Sequence, residues 1–81
     1  MPYYELLWTD EIIDHIAEHS VSQDDFEDVF RNPVSWGYSR SSGLPAVWGY
    51  ASDGRYLMAI YEELDSVTIL PVTAYEVPEP R

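Results

Sequence analysis

Alternating apolar runs on either side of Asp53 and Gly54, a third such run near the end of the chain, and two stretches of helical periodicity ahead of them predict an α+β domain. The expected order is β-α-α-β-β-β-β, with both helices packed on one face of a mostly antiparallel twisted sheet. Residues 48–75 carry most of that sheet, and the rest of the chain must fit around them. Asp followed by Gly between alternating runs is the strongest short-range hairpin signal, because a type I′ turn places φ above zero at both central residues. A two-residue turn at Asp53 and Gly54 sets Ser52 against Arg55, Tyr50 against Leu57, Trp48 against Ala59 and Val47 against Ile60. One face then carries Trp48, Tyr50, Arg55, Leu57, Ala59 and Tyr61, and the other Val47, Gly49, Ala51, Tyr56, Met58 and Ile60. The second face is small and aliphatic and is expected to take the helices. The first becomes an open platform of aromatic rings with one guanidinium.

The elements follow in order. Residues 2–8 alternate weakly and suit a first strand, with Tyr3, Glu5 and Leu7 on one side and Tyr4, Leu6 and Trp8 on the other. Thr9 offers an N-cap hydroxyl, and Asp10 and Glu11 place negative charge at the positive end of a helix. Ile12, Ile13, Ile16 and Ala17 form its apolar stripe, which ends near His19. Ser22 and Asp25 match a capping box, and Val21 with Phe26 a hydrophobic staple, so a second helix starts there. Phe26, Val29 and Phe30 line its buried edge, and Asn32 with Pro33 ends it. Residues 34–40 alternate as a strand, 41–43 form a loop, 62–66 a polar turn, and 67–75 the last strand. Pro71 cannot donate to a ladder, so that strand lies at an edge there or is bulged. Residues 1–76 read as one domain and 77–81 as a short Pro-rich acidic tail.

Four arginines stand against fifteen carboxylates in 81 residues, a net charge of −11. Such a balance excludes a nucleic-acid binder that relies on a broad basic surface; it reads first as a solvated acidic surface, and second as a side that meets a basic partner protein. Cysteine is absent, which excludes a disulfide framework and a thiolate metal site. The start has neither a basic nor an apolar leader segment and no run approaches the roughly 18 apolar residues of a span, so a cytoplasmic protein with no membrane partner is expected.

His15, Glu18 and His19 spell the H-x-x-E-H pattern of inverted zinc peptidases, and four residues bring both imidazoles to one helical face. A third ligand is missing, so no metal and no cofactor are expected, and the pair reads as the border of the apolar stripe. No nucleophile elbow or glycine-rich phosphate loop is present. What remains is the open face: Arg55, Trp48, Tyr50 and Tyr61, joined by Arg40, Trp36 and Tyr38 from the neighbouring strand. Such a surface stacks bases and holds a phosphate, or is covered by a partner protein, or packs beneath the C-terminal tail.

The succession Trp8, a helix ending at His19, Val21 and Ser22 opening a helix with Phe26, Val29, Phe30, Asn32 and Pro33, then Gly49, Asp53, Gly54, Arg55, Leu57, Tyr61, Val67, Ile69, Thr73 and Ala74, resembles the BrnT toxins. These are small ribonucleases of type II toxin–antitoxin modules with a fold related to the RelE toxins. The resemblance implies a RelE-like fold and, if RNA is cleaved, a metal-independent endoribonuclease. Arg55 would then hold the scissile phosphate, Trp48 or Tyr50 would stack a base, and Tyr61 or Tyr75 would assist proton transfer. Where the family commonly carries further arginines, this chain has Leu44 and Pro45 before the central strand and Tyr75 in the last one. The expectation is a toxin-related protein with its catalytic residues largely not retained. Its partners would be an antitoxin or other basic protein, or RNA. The alternative is a non-catalytic interaction module that uses the aromatic face to grip a partner or a second copy of itself.

Overall fold

The computed structural model describes residues 4–80; Pro2 and Tyr3 of the expected first strand and Arg81 of the tail lie outside the described residues. The elements are β1 (Glu5–Leu6), α1 (Asp10–Ala17), α2 (Gln23–Arg31), β2 (Ser35–Tyr38), β3 (Pro45–Tyr50), β4 (Tyr56–Glu63) and β5 (Thr68–Glu76). The sheet runs β1-β5-β4-β3-β2, antiparallel throughout except where β1 lies parallel to β5. This is the expected α+β arrangement and order. No helix of the described residues is long and apolar enough to cross a membrane.

Both helices are fixed by local chemistry. The Thr9 hydroxyl accepts the Ile12 N–H at 3.2 Å and starts α1. The helix ends in a Schellman motif: Val21 N–H reaches the Ile16 carbonyl and Ser20 N–H the Ala17 carbonyl, both at 3.0 Å. Ser20, not glycine, takes the left-handed position, at φ 62°. Two residues later the Ser22 hydroxyl and the Asp25 carboxylate exchange bonds with each other's backbone N–H at 3.1 Å, closing the capping box of α2. Val21 and Phe26 are buried in one cluster, as a hydrophobic staple requires.

The helices bury Ile16, Phe26 and Val29 against Val47, Ala51, Leu57, Ala59 and Ala74 of the sheet. Each large side chain so enclosed contributes roughly 1.5–3 kcal/mol. Gly49 lets α2 approach closely, since a Cβ there would stand 3.3 Å from the Asn32 carbonyl oxygen and 3.4 Å from Val29 Cγ1. On the helix-free face Ala46, Met58 and Ile60 form a smaller cluster with Leu44, Trp48, Val72, Tyr75 and Val77. The ladder between β4 and β5 shifts register after Ile60 pairs with Thr73, leaving Val72 as an extra residue beside Pro71, the bulge that a proline in the strand anticipates.

The expected hairpin register is one residue out. Gly54 N–H donates to the Ala51 carbonyl and Ala51 N–H to the Arg55 carbonyl, each at 2.9 Å, so the loop holds three residues and Gly54 takes φ +93°. Asp53 favours this longer loop because its Oδ1 accepts the Arg55 N–H at 3.1 Å. Tyr50 therefore opposes Tyr56, Trp48 opposes Met58 and Val47 opposes Ala59. A slip of one reverses every side chain of the partner strand. Val47, Gly49 and Ala51 face the helices as expected, but Arg55, Leu57, Ala59 and Tyr61 join them, and Tyr56, Met58 and Ile60 cross to the helix-free side.

Candidate functional site

The platform expected to unite Arg55 with the aromatic residues is divided between the two faces. Trp48 and Tyr50 lie on the helix-free side, whereas Arg55 and Tyr61 lie on the helix side. Trp36 pairs with Val47 and Tyr38 with Pro45, which puts both of these rings on the helix side as well.

Arg55 stands where three segments meet. Its guanidinium donates to the Ser20 carbonyl at 2.7 Å, to Asp25 Oδ2 at 2.9 Å and to Asp53 Oδ2 at 2.7 Å. It is thus tied to the end of α1, the first turn of α2 and its own hairpin. The two carboxylates push its pKa up, the Asp53 hydrogen bond most, and the Arg55 backbone and side chain together hold the Asp53 carboxyl below the usual range. The contacts with Asp25 and Ser20 are not foreseen from the sequence, because the expected two-residue turn puts Arg55 on the opposite face. The one local signal for them was the capping box, which aims Asp25 at the helix start.

Tyr61 is six residues from Arg55, about 20 Å along an extended strand. Its ring packs edge-on against Phe30 at 5.2 Å, and burial, then Glu63, raises its pKa. Tyr75 opposes Met58, and its hydroxyl donates to the Met58 sulfur at 3.5 Å. Arg55, Tyr61 and Tyr75 do not converge on a common point. Carbon and oxygen chemistry that needs a cation, an acid and a base within hydrogen-bond reach finds no such trio there.

The helix-free face is occupied by the chain's own end. Val77 N–H donates to the Tyr56 carbonyl at 3.0 Å, and the Tyr50 hydroxyl donates to Glu79 Oε2 at 3.3 Å. Desolvation, followed by the Glu79 charge, raises the Tyr50 pKa. Val77, Pro78 and Pro80 line a shallow groove with Ser35, Trp36, Trp48 and Tyr56, so one side of the largely exposed Trp36 borders the tail. Of the three uses open to this surface, packing beneath the tail is the one the structure displays for Trp48 and Tyr50.

His15 and His19 sit edge to face with ring centroids 5.5 Å apart, His15 Nε2 lies 3.0 Å from the Thr73 hydroxyl, and His19 packs near Tyr75. Among the described residues no group of three or more His, Cys, Asp or Glu side chains is placed to hold a metal ion.

Trp36 and Tyr38 are left over: 70% and 72% exposed, adjacent on one face of the edge strand β2, while α2 packs over β3 and β4. Arg40 follows them in an exposed turn and has no hydrogen bond or ion pair among the described residues. Comparison with known proteins returns nothing: no family model, no curated protein and no solved structure matches the chain.

Proposed function

We propose that this chain is a toxin-related, BrnT-like protein that acts by binding a protein partner rather than by cutting RNA. One observation carries the reading. Arg55, the basic position that the family resemblance nominates for catalysis, is engaged by two carboxylates and a carbonyl, while Trp36 and Tyr38 stand bare on an edge strand.

Cleavage of a phosphodiester needs donors aimed at the developing charge. A guanidinium already held by Asp25 and Asp53 would have to abandon the fold to supply them. The net charge of −11 repels polyanions. Trp, Tyr and Arg are also the residues enriched at interface hot spots, and Trp36, Tyr38 and Arg40 form such a set.

The test combines two measurements. Purified protein is incubated with total RNA in low salt with chelator, and a photo-crosslinking residue is placed at Trp36 in cells with Glu11 as the control position. Expected are intact RNA and a protein adduct from position 36 alone. RNA cleavage that disappears in Arg55→Ala would overturn the proposal.

A further inference from the structure

We infer that the outer edge of β2 is a seam for a second copy of this chain, joining two five-stranded sheets into one. The inference rests on the reading that the surface around Trp36 and Tyr38 binds protein, and it names the occupant.

The main chain supplies the first argument. Ser39 N–H donates to the Leu44 carbonyl in register with the β2–β3 ladder. Hydrogen-bonded pairs alternate along antiparallel strands, so Ser35, Gly37 and Ser39 direct their polar groups to β3. Trp36 and Tyr38 direct theirs outward. Edge strands are ordinarily protected by a charge, a proline or a bulge. Residues 35–39 of this edge hold no charge and no proline, and the pairing with β3 runs unbroken from Ser35 to Tyr38.

The pattern is self-complementary. An antiparallel seam with its two-fold axis at Gly37 sets Trp36 against Tyr38 of the other copy, and Tyr38 against Trp36. No other register pairs these two outward-facing residues with one another. About four main-chain hydrogen bonds form, and the two glycines meet at the non-hydrogen-bonded position, where Cα atoms approach to about 4.5 Å. On the helix side the seam stacks two Trp–Tyr cross-strand pairs, each worth up to roughly 1 kcal/mol. Gly37 also accepts the Trp48 ring on the other side, where a Cβ would stand 3.2 Å from it.

Charge supplies the second argument. Every one of the fifteen carboxylates lies outside residues 29–52, the stretch that contains β2, its loop and β3. Two chains of net charge −11 repel one another over most of their surfaces, and this edge is where that repulsion is least. Screening should therefore strengthen the dimer, whereas a seam made by opposite charges would weaken in salt.

Sedimentation equilibrium of the wild type, Tyr38→Pro and Tyr38→Lys, in low and in roughly 1 M salt, tests the seam. Hydrogen exchange at the Trp36 and Tyr38 amides runs alongside. Proline at 38 removes an outward N–H and leaves the inner ladder intact; lysine keeps the backbone and adds an edge charge, so a folded variant is available whichever is tolerated. The seam is smaller than the roughly 1,200 Å² of a standard interface, so dissociation in the tens of micromolar is expected. Salt should tighten it by about tenfold. Both amides gain protection with concentration, and both variants are monomeric with unchanged circular dichroism. A wild type that stays monomeric in high salt overturns the seam. So does a dimer that survives Tyr38→Lys, or one that salt dissolves. The RNA assay stands apart: Arg55-dependent cleavage by a dimer would sink the proposed function and leave the seam standing.

Discussion

Asp25 and Arg55 share one oxygen with the backbone: Asp25 Oδ2 accepts the Ser22 N–H at 3.1 Å and the Arg55 guanidinium at 2.9 Å. The carboxylate that caps α2 is thereby fastened to the hairpin, and the same arginine holds the carbonyl of left-handed Ser20. Arg55→Ala should cost about 2 kcal/mol, since three charge-assisted bonds are lost and the partly buried Asp25 carboxylate is stranded. Arg55→Lys should recover less than half, because a point charge cannot serve three divergent acceptors. Urea unfolding of both variants and of Asp25→Ala measures this, with an expected coupling between positions 25 and 55 of about 1 kcal/mol.

Gly49 tests the fit of α2 on the sheet. A methyl group at that position meets the Asn32 carbonyl and Val29 within 3.4 Å, so the end of the helix must lift. Gly49→Ala is expected to destabilise by about 1–2 kcal/mol, read as a lower urea midpoint. Gly37→Ala, crowded only by the Trp48 ring, should cost less.

The acid limb of stability follows from Asp53 and Asp65. The Arg55 backbone N–H and then its guanidinium hold the Asp53 carboxyl low, and the Val67 N–H and Thr68 do the same for Asp65. A carboxyl depressed in the folded state stabilises above its unfolded pKa of about 3.9 and loses that contribution as pH falls through the folded value. Urea midpoints should therefore drop below about pH 4. The double variant Asp53→Asn, Asp65→Asn should flatten this limb.

Removing residues 77–81 uncovers Trp48 and Tyr56. A red shift of tryptophan emission and binding of an apolar dye are expected, with a stability loss of about 1–2 kcal/mol from the area exposed. An unchanged emission spectrum would mean that the tail does not cover this face in solution.

What could be read from the sequence was what residues decide among near neighbours. Thr9, Ser22 and Asp25 announced both helix starts because a cap is a contact over three residues, and Pro71 left an edge or a bulge, of which the ladder with β4 shows a bulge. The hairpin register was not legible, since Asp-Gly serves loops of two or three residues and the choice lies in one carboxylate bond to the Arg55 N–H. That single step moved Arg55 and Tyr61 to the helix side and dissolved the expected site. The docking of Val77 and Pro78 was also hidden, because an extended Pro-rich segment carries no periodicity.

The place of β5 between β1 and β4 has a kinetic consequence. Glu5 and Leu6 find their partners at Thr68 and Ile69, so the opening strand has nothing to pair with until nearly the whole domain has been synthesised. During translation the helices and the β3–β4 hairpin are available early, yet their apolar faces lack the strand that completes the cover. Because contacts this distant in sequence form slowly, the amides of β1 should be among the last to become protected after release from the ribosome.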